Sequence, residues 1–146
     1  MPARRETMGE ETPRSEDYLE TVYNLIKDKG YATTSDISTA LKVKPPTVSD
    51  MVWKLASRGY LEYERYHGMK LTARGERVAK SVIRRHLVIA EFMSMIGVDD
   101  DTAFEDTEGI EHHVHPTTIR RLERLAEYLR THPAVLRTIR KYVDSG

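Results

Sequence analysis

The chain of 146 residues contains no cysteine. That absence excludes a disulfide framework, a Cys-ligated zinc or iron–sulfur site and a thiol nucleophile. Long apolar runs are missing as well. The longest, Leu87 to Val98, is broken by Glu91 and falls far short of a bilayer span. No apolar stretch follows Arg4 and Arg5, so no secretory signal is expected, and the cytoplasm is the expected compartment. Net charge is lacking too, with 23 Lys and Arg against 23 Asp and Glu. Taken over the whole chain, that balance speaks against a nucleic-acid partner. What is present is ordinary for a globular protein: 32% charged and 39% hydrophobic residues, at a length of one domain or two small ones.

The neutrality conceals a segregation of charge. Residues 40–85 hold eleven Lys and Arg against four Asp and Glu, a net of +7. Residues 86–111 hold no Lys or Arg and eight acids, a net of −8. The flanks, 1–39 and 112–146, carry −3 and +4. A basic block suits a polyanion, and an acidic block interspersed with His suits a cation. Both blocks could also be solvated helix faces.

Residues 1–14 lack apolar periodicity and read as a flexible tail. Ser15 is placed to cap a helix whose core face is Leu19, Val22, Tyr23 and Ile26, ending near Gly30. Thr34 or Ser35 opens a short helix with Ile37, Ala40 and Leu41. Pro45 and Pro46 suit the first turn of a third helix, whose core face is Val48, Met51, Val52 and Leu55 and which Gly59 stops. The alternation from Leu61 to Leu71 predicts a β-hairpin turning near His67–Gly68. Thr72 caps a long helix to about Ile96, and Asp99–Asp101 start another, continuing to about His113. Thr117–Arg130 and Pro133–Val143 are amphipathic segments that finish the chain. The expected fold is mainly α: a winged helix-turn-helix over 15–79, then an all-helical domain over 80–146.

Opposite the core stripe of the third helix lie Pro46, Thr47, Asp50, Trp53 and Lys54, with Ser49 on the flank. Small hydroxyls at the N-terminal turn can approach phosphates together with free backbone N–H groups. Lys54 can reach a phosphate or a base edge, and Asp50 can accept from a cytosine amino group. Arg65 and His67 at the wing tip suit the flanking backbone or minor groove. An exposed Trp53 is expected to pack on a neighbouring element rather than on a base.

A second constellation consists of Asp17 and Glu20 at i and i+3, Glu108, Glu111 and His112 at i, i+3 and i+4, and His86 on the long helix. Four carboxylates and two imidazoles form an O/N donor set without sulfur, suited to a hard or borderline cation such as Mn²⁺ or Fe²⁺. On spacing alone, a dipole-complementing Asp17, a solvated Glu108/Glu111 face and interface histidines remain equally good readings.

The segments SEDYLETVY (15–23), RRH (84–86) and DTEGIEHH (106–113), joined to the winged helix, resemble the diphtheria toxin repressor family, above all its manganese-sensing branch. The likeness runs from about Ser15 to Arg140. It implies a homodimeric, Mn²⁺-activated transcriptional repressor of metal-uptake genes on a palindromic double-stranded DNA operator, with no catalytic residues, membrane partner or small-molecule substrate. The family's metal ligands fall on Asp17, Glu20, His86, Glu108, Glu111 and His112. Iron-responsive members carry Met at the position of Asp17 and Cys at that of Glu108, so two carboxylates here favour Mn²⁺. Ala90 and Phe104 stand where the iron-type ancillary site has Glu and His, so that site is expected to be absent. No third domain is expected after Gly146. Asp50 stands at the family's main base-reading position, which is Gln in the iron type, and this leaves the operator sequence open. Within the family, metal binding is expected to clamp the winged helix against the dimerisation half and set the spacing of the two recognition helices.

Three rivals stand beside this reading: an iron-responsive repressor of the same family, a winged-helix regulator answering an organic ligand, and a metal-dependent hydrolase with a carboxylate/His site. The hydrolase would leave the winged helix idle and lacks a separate acid–base pair. The six apolar residues Leu87, Val88, Ile89, Phe92, Met95 and Ile96 exceed the needs of one helix on a small module, and part of them is assigned to a dimer interface.

Overall fold

The computed structural model describes residues 13–64 and 68–146, which divide after Ser81 into two compact units. The expectations for residues 1–12 and for Arg65 and His67 lie outside the described residues. In the N-terminal unit, α1 (Pro13–Lys29) begins two residues ahead of the cap read from the sequence, so Pro13 and Arg14 are helical rather than tail. Proline at the first turn loses no hydrogen bond, because N–H groups there are unpaired in any helix. Ser15 is therefore no cap: it is buried inside the first turn, and its hydroxyl donates to Met51 Sδ at 3.6 Å.

Helix α2 (Thr34–Leu41) opens at Thr34, one of the two starts expected, and Thr33 caps it. The Thr33 hydroxyl accepts from Asp36 N and the Asp36 carboxylate accepts from Thr33 N, each at 3.1 Å, a reciprocal capping box. After the left-handed Lys42 comes α3 (Pro45–Ser57), with prolines in its first turn as its sequence dictates. The wing pairs β1 (Leu61–Glu64) with β2 (Gly68–Leu71) antiparallel, Leu61 opposite Leu71 and Tyr63 opposite Met69. Its inner edge is tied to the α1–α2 connection, because Met69 N donates to Ala32 O at 3.0 Å. Tyr18, Leu19, Val22, Ile37, Val48, Val52, Leu55, Leu61, Met69 and Ala79 bury one core among these elements.

Helix α4 (Ala73–Met95) starts against the end of the helix-turn-helix. The Thr72 hydroxyl accepts from Gly75 N at 3.1 Å, as its expected capping role requires, and donates to Gly59 O at 2.6 Å. Gly75 is required by contact: a Cβ there would stand 2.0 Å from the Tyr60 carbonyl oxygen.

In the C-terminal unit Asp99 caps α5 (Asp100–Ile110), accepting from Thr102 N at 2.9 Å. The sequence predicts a helix reaching His113. It tightens instead into a 3-10 turn at Glu111–His113, just past Gly109, before Val114 turns extended. Glycine contributes little to helix propensity, which lets the last turn change pitch. Helices α6 (Pro116–Thr131) and α7 (Pro133–Asp144) follow. Val88, Ile89 and Ile119 form the core of this unit, with Met93, Val114 and Leu122 against it. Leu87 is 61% exposed while its neighbours Val88 and Ile89 are buried within the chain. Among the described residues no helix is long and apolar enough to cross a membrane.

Candidate metal centre and nucleic-acid interface

Three of the six predicted ligands meet inside the C-terminal unit. His86 comes from α4, Glu108 from the last turn of α5 and Glu111 from the 3-10 turn that follows. His86 Nδ1 lies 2.8 Å from Glu111 Oε2 and 3.1 Å from Glu108 Oε1. One donor atom from each of the three residues falls within 4.8 Å of the others. His112 adjoins the group, its Nε2 3.4 Å from Glu111 Oε1. Asp17 and Glu20 belong to the N-terminal unit, half-buried on α1 at i and i+3.

Glu111 is the unusual member. Its residue is 0% exposed, inside a stretch that composition alone reads as solvated. Its Oε1 is buried and has no hydrogen-bond partner. Burial pushes the Glu111 carboxyl above its ordinary range and Glu108 pushes it further, while His86 and His112 pull it back. A folded protein tolerates such a carboxylate where something compensates the charge.

The donor set fits a divalent cation. Two donors at right angles on a cation with bonds of about 2.1 Å are about 3 Å apart, and the His86–Glu111 and His86–Glu108 separations have that size. Oxygen and imidazole donors without sulfur suit Mn²⁺ and Fe²⁺. The Phe104 ring meets His86 edge-on, with centroids 5.7 Å apart. Phe104 thus borders the imidazole with carbon, at the position where an iron-type ancillary site would place a second His.

On α3 the expected contact residues Pro46, Thr47, Ser49, Asp50 and Lys54 are all exposed. One expectation fails there. Backbone amides were to help hold phosphate at the start of α3, yet Pro45 and Pro46 carry no N–H. The amides of Thr47 and Val48 are already spent on Lys44 O at 3.0 and 3.2 Å. The exposed Thr47 and Ser49 hydroxyls are the side-chain donors left on this turn. Trp53 also departs from expectation: among the described residues no neighbouring element covers it, and it is 68% exposed on the same face. Its place opposite the core stripe was visible in the helical periodicity; its lack of cover was not. On the wing, Lys70 lies 3.7 Å from Glu62 and 3.9 Å from Glu64, so part of the basic block is neutralised locally.

Comparison with known proteins finds a family match for each half of the chain. Residues 11–69 match the family described as iron dependent repressor, N-terminal DNA binding domain. Residues 72–139 match its metal binding and dimerisation domain. The chain is 50% identical over 117 residues to the HTH-type transcriptional regulator MntR of Shouchella clausii, covering 80% of this chain and 82% of that protein. It is 43% identical over 129 residues to the MntR of Listeria monocytogenes serotype 4a, covering 88% and 91%. Among solved structures, the manganese regulator SloR superposes with a TM-score of 0.71 at 31% identity, over 81% of this chain and 55% of SloR. The IdeR of T. acidophilum superposes with a TM-score of 0.67 at 36% identity, over 75% and 53%. The chain thus spans about half the length of those two solved proteins.

Proposed function

The chain belongs to the iron dependent repressor family, and from that membership we propose that it is a cytoplasmic, Mn²⁺-activated homodimer repressing metal-ion uptake genes at palindromic operators. It is a transcriptional regulator and not an enzyme. The observation that carries the metal assignment is the buried Glu111 carboxylate, with His86 and Glu108 converging on it and one oxygen left without a hydrogen bond. Asp17, Glu20 and His112 complete the proposed ligand set on the strength of the matching sequence motifs. The relatives named MntR and the manganese regulator SloR support Mn²⁺ over Fe²⁺, as do the carboxylates at positions 17 and 108.

A bound divalent cation supplies the positive charge that lets several carboxylates share one desolvated site. The chain's own residues prepare that site. Burial strips Glu111 of water, so its charge is stabilised poorly by anything except a cation or His86. His86, fixed on α4 with Phe104 at its edge, orients its Nδ1 toward both carboxylates. Residues 15–79 are the proposed DNA-binding domain and residues 80–146 the dimerisation and metal-binding domain. On α3, the Thr47 and Ser49 hydroxyls and Lys54 hold phosphates while Asp50 meets a base edge; Pro46 leads the contact face, and Arg65 and His67 extend it along the wing.

Two copies placed about one helical turn of DNA apart would read the two halves of a palindrome. A mobility-shift titration on a palindromic operator, run in parallel with Mn²⁺, Fe²⁺, Zn²⁺ and a chelator, tests the proposal. Retarded DNA is expected with Mn²⁺ and not with chelator, and it is expected to disappear in Glu20→Ala with helical content intact. Equal affinity in Mn²⁺ and chelator would refute metal activation, and activation by Fe²⁺ alone would select the iron-responsive reading.

A further inference from the structure

Trp53 is the only tryptophan in the chain, and it stands 68% exposed on the recognition helix. At about 100° per residue, the core residues Val48, Met51, Val52 and Leu55 take one side of α3. Pro46, Asp50, Trp53 and Ser57 lie along the centre of the opposite side, with Ser49 and Lys54 flanking it. The Trp53 indole is therefore not at the margin of the proposed DNA face but in its middle, one turn beyond Asp50. Its main chain is held by the helix end, where the Ser57 hydroxyl donates to Trp53 O at 2.8 Å.

An aromatic plane of this size left in water is a loss that a binding partner can recover. The indole carries one N–H donor and no acceptor, so it cannot make the bidentate contacts by which polar side chains read bases. Its plane is suited to carbon, and the main carbon feature projecting into the major groove is the C5-methyl of thymine. The flanking residues are those of a nucleic-acid face: hydroxyls at Thr47 and Ser49, a carboxylate at Asp50 and an ammonium at Lys54. A protein partner at this spot would have to displace DNA from all of them.

We propose that Trp53 is a specificity-determining residue, whose indole, one turn of α3 beyond Asp50, covers thymine methyl groups in the major groove. The inference rests on the DNA-binding reading above and adds a preference that reading does not contain. Asp50 selects by accepting a hydrogen bond; Trp53 selects by apolar contact. Each half-site would then carry a thymine requirement set by a residue with no charge and little sensitivity to salt.

The test starts with duplexes selected from a random-sequence pool by the full-length protein loaded with Mn²⁺. Titrating a selected duplex into the protein is expected to shift and quench the single tryptophan's emission saturably, in step with the mobility shift. Replacing the half-site thymines by uracil, one position at a time, should weaken wild-type binding about fourfold at the contacted position, the worth of one buried methyl. Trp53→Gln should bind the selected duplex about tenfold more weakly, be indifferent to uracil, and select a pool without that thymine. Unchanged emission on saturation, or a Trp53→Gln variant with the wild-type uracil response, would overturn the proposal and leave the repressor reading intact. A Trp53→Gln variant altered only in its sedimentation as a dimer would overturn it as well. Failure of the wild-type protein to select any duplex would overturn the repressor reading itself, and this inference with it.

Discussion

His86 Nδ1 and Glu111 Oε2 lie 2.8 Å apart, and they join a partly exposed imidazole to a carboxylate with no access to water. The second Glu111 oxygen has no hydrogen bond, so its burial costs the fold an unpaired acceptor that the proposed cation would satisfy. Glu111→Gln preserves the shape and removes the charge. It is expected to stabilise the metal-free protein by about 1 kcal/mol. It is also expected to abolish the rise in melting temperature on adding Mn²⁺, which for the wild type is worth about 2.7 kcal/mol at a hundredfold excess over Kd. Melting both proteins with Mn²⁺ and with chelator checks the two effects together; a variant that still responds fully to Mn²⁺ would remove Glu111 from the ligand set.

Lys54 is exposed on the contact face and is proposed to meet phosphate rather than base. Lys54→Ala is then expected to weaken binding to all sequences alike. It should also make the slope of log K against log salt shallower by about 0.9 for each phosphate that the Lys54 ammonium neutralises. Binding measured over a range of salt concentrations decides it: an unchanged slope with altered sequence preference would make Lys54 a base reader.

The close approach of Gly75 to the Tyr60 carbonyl predicts an intolerant position. Gly75→Ala must push α4 away from the end of the helix-turn-helix and should cost about 2 kcal/mol or more. Denaturant unfolding gives the number. Wild-type stability in this variant would mean that the junction is looser than the described approach.

The capping box ties the stability of α2 to acid. The Lys29 ammonium and the Thr33 hydroxyl hold the Asp36 carboxyl below its ordinary value of 3.8. A depressed carboxyl contributes fully above that ordinary value, and its contribution is lost as pH falls through the lower folded value. Asp36→Asn should therefore destabilise the protein at neutral pH and match the wild type more closely as pH falls through the lowered Asp36 value, below 3.8. Thr33→Ala should cost about 1 kcal/mol, since it removes the cap itself. Thermal melts from acid to neutral pH would show the two curves converging, and parallel curves would contradict the assignment.

Much of this was legible in the residues. The i, i+3, i+4 spacing of Leu19 and Val22, and of Val48, Val52 and Leu55, marks core faces that the fold buries. The alternation around Leu61 and Met69 similarly marks a hairpin. Helix ends were less legible: Ser15 has a capping hydroxyl yet lies inside α1, and Thr33, Thr34 and Ser35 offer the same chemistry at the head of α2, where Thr33 is the cap. The amide donors at the head of α3 could have been discounted from Pro45 and Pro46 alone, since proline has no N–H. The burial of Glu111 could not be read at all. Its neighbours are acidic and polar, and the 3-10 turn that rotates it inward arises from the local pitch of the chain. Trp53 was misjudged for the opposite reason, as a large aromatic residue is ordinarily covered by its own fold.

The hydrogen bond from Met69 N to Ala32 O bears on how the N-terminal unit opens. It links β2 to a connection far earlier in the chain, across a core that Met69 itself helps to fill. Exposing this amide requires β2 to part from the connection between α1 and α2. In deuterated solvent its exchange would follow the global opening of the unit, making one backbone proton a gauge of the whole DNA-binding half.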